Sequence, residues 1–276
     1  MPIGTNFWNI GWHDPQDVFA DGWENVSGDD PWNPQFLKEL APYTNLRFMD
    51  WDQTNNSKRT SFDQRTLKTA AAQRPVAYEW MIDLCNRTEA DMWVTIPHMA
   101  NWEYSLHLAN LIRYGSDAKG QPYTSPQANP VNPPLDTNLK VYVEYSNETW
   151  NGSFDQTEYS RKKGQELNLD AKDQNAKGHK YHVYAAVRHF EHFEKVWGAD
   201  NPRLITVIAG WVSNSHVTKL HLEALQDPLI NPENIQPDAY AIAPYFGHRV
   251  DGAAPDVMDQ LRKDIEVVKD KCERQT

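Results

Sequence analysis

A carboxylic acid set just beyond a strand end is the strongest chemical signal in the chain. In Lys140-Val-Tyr-Val-Glu-Tyr-Ser-Asn-Glu-Thr-Trp-Asn151 a β-branched, alternating run ends in an Asn147-Glu148 pair flanked by aromatic residues. Strand residues alternate between two faces, so Val141, Val143 and Tyr145 share one side and Tyr142, Glu144 and Ser146 the other. Asn147 and Glu148 then fall past the strand end, where parallel α/β folds place their chemistry, and a Glu there can act as a general acid or base. An Asn-Glu pair after a strand is also a helix N-terminus signal when read alone. Glu144, on the inward face, needs a partner if it is buried, and Arg47 is a candidate; Arg47 could equally pair with Asp50. Trp12, Trp51, Trp102, Trp150 and Trp211 each follow a strand-like segment. Such rings either stack on the apolar faces of sugars or plug the core beneath helices.

The elements that must position these residues alternate between strand and helix. Gly4–Trp12 reads as a first strand and is followed by a long loop rich in Gly, Asp and Pro. Leu37 and Leu40 mark a short helix before a second strand, Asn45–Trp51. A helix begins near Pro75 and carries Val76, Trp80, Met81 and Leu84 at helical spacing. It leads to a third strand, Asp91–Pro97, with His98, Asn101 and Trp102 at its end, and then to a helix over Tyr104–Tyr114. The stretch Gly120–Asn138 is a surface loop. After the fourth strand a helix presents Val183, Val187, Phe190 and Trp197 on one face. Arg203–Ala209 and Asp238–Tyr245 are the fifth and sixth strands, and Val257, Leu261, Ile265, Val268 and Cys272 mark a last amphipathic helix. The alternation implies a parallel sheet with right-handed crossovers in one domain spanning residues 1–276.

The strand-four segment resembles that of the large clan of (β/α)8 glycoside hydrolases that includes the family 5-type cellulases. The resemblance implies an α/β, TIM-barrel-like (β/α) fold, incomplete at about six βα units because a closed barrel has eight strands. It also implies that Glu148 is the general acid/base and that Asn147 binds the hydroxyl next to the reacting carbon. Arg47 matches the Arg that holds the clan's nucleophile, His98 with Asn101 the His/Asn group after strand three, and Tyr245 with His248 the aromatic or His after strand six. The clan's nucleophile is a Glu ending strand seven, which the chain is expected to lack along with strand eight. Asp50 and Glu103 are its nearest local replacements. A retaining enzyme needs carboxyl groups roughly 5 to 5.5 Å apart and an inverting one roughly 6.5 to 9.5 Å. The expected activity is hydrolysis of β-linked glucan, cellulose-like β-1,4-glucan first, by a cellulase or endoglucanase-like enzyme. The alternatives are a carbohydrate-binding protein without turnover and an inactive fragment of a longer hydrolase. The expected substrate contacts are Asn147, Arg47, Asp50, Trp51, His98, Asn101, Trp102, Trp150, Trp211, Tyr245 and His248.

Composition fits a polysaccharide or oligosaccharide partner. The chain has 276 residues and a formal net charge of -11, with a pI near 5.3, which argues against a nucleic-acid backbone as ligand. No apolar run approaches membrane-spanning length, and no signal peptide is visible, although the resemblance implies an extracellular or periplasmic substrate. Cys85 and Cys272 are expected as buried free thiols. His179, His182, His189 and His192 lie on one helix, but no Cys or carboxylate set accompanies them, so a solvated helix face is expected in place of a metal site. No cofactor motif is found: a Gly-rich phosphate loop, a G-x-S-x-G elbow and an H-E-x-x-H pair are all missing from the sequence. An open sheet would leave strands one and six unpaired at its edges, so a homodimer covering the opening is expected.

Overall fold

The computed structural model describes residues 7–9, 32–170, 173–243, 263 and 266. Trp12, Tyr245, His248, Cys272 and the expected last amphipathic helix lie outside them, apart from Lys263 and Glu266, which are helical. Contacts divide the chain into two compact units, one of Met1–Asn147 with Arg188–Thr206 and one of Glu148–Val187 with Val207–Thr276.

The first unit is an α/β arrangement of parallel strands. β1 (Phe7–Asn9) pairs with β2 (Asn45–Arg47), β2 with β3 (Asp91–Ile96), and β3 with β4 (Val141–Tyr145), all parallel. The first residues of β5 (Leu204–Trp211) continue the order. Helices α1 (Pro34–Leu40), α2 (Tyr78–Thr88) and α3 (Trp102–Tyr114) fall between the strands, as the alternation requires. The period-two pattern is realised in burial: Met92, Val94, Ile96, Val141, Val143 and Tyr145 form an apolar face packed with the helices. The other face carries the row Arg47, Trp93 and Tyr142, in register across three strands, with Thr95 opposite Glu144.

Two boundaries differ from the sequence expectation. β2 ends at Arg47 instead of Trp51: Phe48 N still bonds Trp93 O at 3.0 Å, but Asp52 N then turns back onto Phe48 O at 2.8 Å. α2 starts at Tyr78, not near Pro75, because Val76 N is held by Trp51 O at 2.9 Å. The Gln73 side chain accepts from Ala77 N at 2.9 Å and so satisfies the amide of the N-cap residue, whose own side chain makes no capping bond.

The second unit pairs the remainder of β5 with β6 (Ala239–Ala243), again parallel. It also holds α4 (Asp155–Glu166), the first part of α5 (Gln174–Trp197) and α6 (Ser215–Leu225). A side chain at Gly210 would collide with Tyr240, so the glycine lets that ring lie against β5 and reach His221 Nδ1 at 2.9 Å. Among the described residues no helix is long and apolar enough to cross a membrane.

Candidate active site

In the first unit the inward face of the sheet ends in a connected polar cluster. Strand alternation brings Arg47, Trp93 and Glu144 to one side, and their registers make them neighbours. Arg47 donates to Glu144 from Nε at 3.1 Å and from Nη2 at 2.9 and 3.0 Å. Trp93 Nε1 donates to the same carboxylate at 2.9 Å. Side-chain exposure is 11% for Arg47 and 2% for Glu144, so this is an ion pair largely removed from water. The Arg47 guanidinium also lies 5.6 Å from the Trp93 ring centroid, and Trp93 stacks on Tyr142 at 5.5 Å.

Asn147 is fixed at both ends of its amide. Its Oδ1 accepts from Arg47 Nη2 at 2.9 Å, and its Nδ2 donates to Asn55 Oδ1 at 3.0 Å. The backbone around it is strained: Ser146 has φ 60° and Glu148 has φ 43°, the left-handed region that non-glycine residues avoid. Ser146 N still continues the ladder to Ile96 O at 2.8 Å. Asn147 is thus tied to strands β2 and β4 and to the loop after β2.

That loop lines a cavity of about 570 Å³, whose walls include Asp50, Gln53, Thr54, Asn55, Asn56 and Arg59. Arg59 is held from behind by Asp52 Oδ1 at 2.8 Å and donates to Tyr104 OH at 3.1 Å, which in turn bonds Tyr78 OH at 2.8 Å. Burial raises the Asp52 carboxyl above its ordinary value, with Arg59 opposing. Burial pushes the Tyr104 phenol up to about 12, so it remains a neutral hydroxyl.

The remaining expected contacts of the first unit occupy varied settings. His98 is buried after β3, and its carbonyl accepts from Tyr145 OH at 2.9 Å. Asn101 caps α3 by accepting from Tyr104 N at 2.9 Å. Trp102 is half-buried, edge-on to His189 at 4.8 Å. Trp51 is 3% exposed, between Phe36 at 6.3 Å and Phe48 at 5.7 Å, so both neighbours cover its ring. Asp50 is half-buried on the cavity wall. Glu103 is exposed at the start of α3 and lines a different, smaller cavity of about 240 Å³ with Arg65, Asn101 and His107.

In the second unit Glu148 is half-buried and accepts from Asn151 Nδ2 at 2.8 Å. Trp150 and Trp211 are half-buried there. Thr149, next in sequence, bonds His182 Nδ1 at 3.1 Å, and His182 stacks on His221 at 4.9 Å. The expectation of a solvated histidine face on α5 is corrected: His182 is 1% and His189 0% exposed, because apolar residues line more than one side of this helix. Burial, then the neighbouring His179, drives His182 down to about 3, and burial drives His189 likewise to about 3. Among the described residues no group of three or more His, Cys, Asp or Glu side chains is placed to hold a metal ion. Cys85 is a buried free thiol.

Asn55 and Trp93 were missed by sequence reasoning. The run Thr54-Asn-Asn-Ser57 directly after the strand-two segment is the signal that could have found Asn55, since adjacent amides at a strand end suit polar ligand contact. No family model, no curated protein and no solved structure matches the chain.

Proposed function

We propose that the chain is a glycoside hydrolase of TIM-barrel-like architecture that cleaves β-linked glucan, β-1,4-glucan first, with Glu148 as general acid/base. The observation that carries the reading is the strained Ser146-Asn147-Glu148 segment just past β4, with Asn147 clamped between Arg47 and Asn55. A non-glycine residue in such backbone costs about 1–3 kcal/mol and persists where the surroundings over-determine it, typically at functional sites. The resemblance of the strand-four segment to (β/α)8 glycoside hydrolases supports the same roles.

In this reading Glu148 protonates the glycosidic oxygen as the bond to the anomeric carbon breaks, and a second carboxylate attacks that carbon or deprotonates a water that does. Glu144 is a poor choice for that second role, since Arg47 and Trp93 already engage both of its oxygens; it serves instead to hold Arg47 against Asn147. Of the other candidate carboxylates in the first unit, Asp50 lines the larger cavity and Glu103 the smaller one. The engagement of Glu144 also keeps alive a second reading, a protein that binds glycan without turnover.

The test is reducing-sugar release from amorphous cellulose, xylan, mannan and mixed-linkage glucan by the wild type and Glu148→Gln. The hydrolase reading expects release from a β-glucan that falls about 10²-fold or more in the variant. No release from any polymer, with oligosaccharide binding retained, contradicts hydrolysis and favours the binding protein.

A further inference from the structure

We infer that the cavity in the loop after β2 is a subsite for a neutral pyranoside ring, recognised through its hydroxyls and not by stacking, and that Asn55 links its occupancy to Asn147. The inference rests on the glycan reading above and extends it to a surface that the strand-end residues do not include.

Size, chemistry and rigidity converge on this assignment. The cavity's volume of about 570 Å³ lies within the roughly 300–1,000 Å³ typical of small-molecule sites. Its walls carry the side-chain amides of Gln53, Asn55 and Asn56, groups that both donate and accept, as adjacent sugar hydroxyls require. No aromatic ring is among the described lining residues, so the described wall meets a sugar through its hydroxyls. Charge on the wall is balanced: Arg59 is already neutralised by Asp52, whose side chain is 2% exposed, and Asp50 and Lys58 add one carboxylate and one ammonium, so a neutral ligand meets no net field there.

The loop is also held in advance of any ligand. Thr54 Oγ1 bonds Thr95 Oγ1 on β3 at 2.5 Å, and Arg59 ties the loop to Tyr104 on α3. Gln53 and Asn56 keep left-handed backbone at φ 49° and 57°, a region in which glycine alone meets no steric penalty. A preorganised wall of this kind spends little affinity on ordering. Asn55 faces both ways: it lines the cavity, and its Oδ1 accepts from Asn147 Nδ2 at 3.0 Å.

The experiment is calorimetric titration of cellotetraose into Glu148→Gln protein, with and without the pair Gln53→Gly and Asn56→Gly. Glycine adopts the left-handed backbone of both positions without steric strain, so the amides are removed with that conformation still allowed. Gln53→Leu, which keeps the bulk of the side chain on the cavity wall and removes its amide, is a second variant that adds no glycine. The subsite predicts affinity about tenfold weaker or more in each variant, with unchanged melting temperature. Cellotetraose bound equally by parent and both variants overturns the subsite and leaves the glycan reading standing. Failure of the parent to bind cellotetraose or the corresponding xylo- and manno-oligosaccharides overturns both. Tighter binding of an oligogalacturonate than of cellotetraose overturns the neutral-ring assignment.

Discussion

Arg47 joins three functions in one guanidinium: it neutralises Glu144, orients Asn147 and rests against Trp93. Arg47→Ala would leave a carboxylate that is 2% exposed without its counter-charge, a loss of about 3–5 kcal/mol. Glu144→Gln keeps the shape and an acceptor for Trp93 and costs less. Urea unfolding of the two variants checks this; an Arg47→Ala loss under about 1 kcal/mol would contradict the buried-pair account. Alternation along the strand-four segment made the inward face of Glu144 legible in sequence, and with it the need for a partner such as Arg47. Asn55 was legible only as one member of a polar run after strand two, because loop residues have no periodicity from which to read which side chain points where. The burial of Trp51 was not legible, since a strand-end position does not say whether a ring meets ligand or, as here, Phe36 and Phe48.

At the level of elements, the parallel β/α alternation followed from strand and helix periods, while the ends of β2 and α2 were set by long-range backbone bonds that periodicity does not encode. Helix α5 shows a second limit. Its apolar residues Val183, Ala185, Ala186, Val187, Phe190 and Phe193 are all buried, and His182 and His189 are buried with them. Both histidines stay neutral when folded, held at about 3 chiefly by burial, whereas in the unfolded chain a histidine titrates near about 6.5. Below that pH the unfolded state binds protons that the folded state refuses, so stability falls as pH drops from about 6.5 towards 3, by up to about 1.4 kcal/mol per pH unit for each group. Burial raises the Asp52 carboxyl and acts in the opposite sense at the acid end of this range. Unfolding free energy measured between pH 7 and 5 is expected to decline, and less so in His182→Gln; a flat profile would contradict the buried neutral histidines.

For the molecule as a whole, the proposal of a neutral glycan ligand rests on a net charge of -11, left-handed backbone at Ser146 and Glu148 past β4 and an amide-lined cavity. The claim that joins them is that Glu148 gives a proton to a departing sugar oxygen. Its most direct test compares Glu148→Gln with wild type on two substrates: cellotetraose, whose leaving sugar must be protonated, and a 2,4-dinitrophenyl β-cellobioside, whose phenolate leaves without a proton. The account predicts bond cleavage slowed by about 10²–10⁴ on cellotetraose and far less on the dinitrophenyl glycoside in single-turnover kinetics. Equal loss on both substrates, or none on cellotetraose, would contradict Glu148 as the general acid.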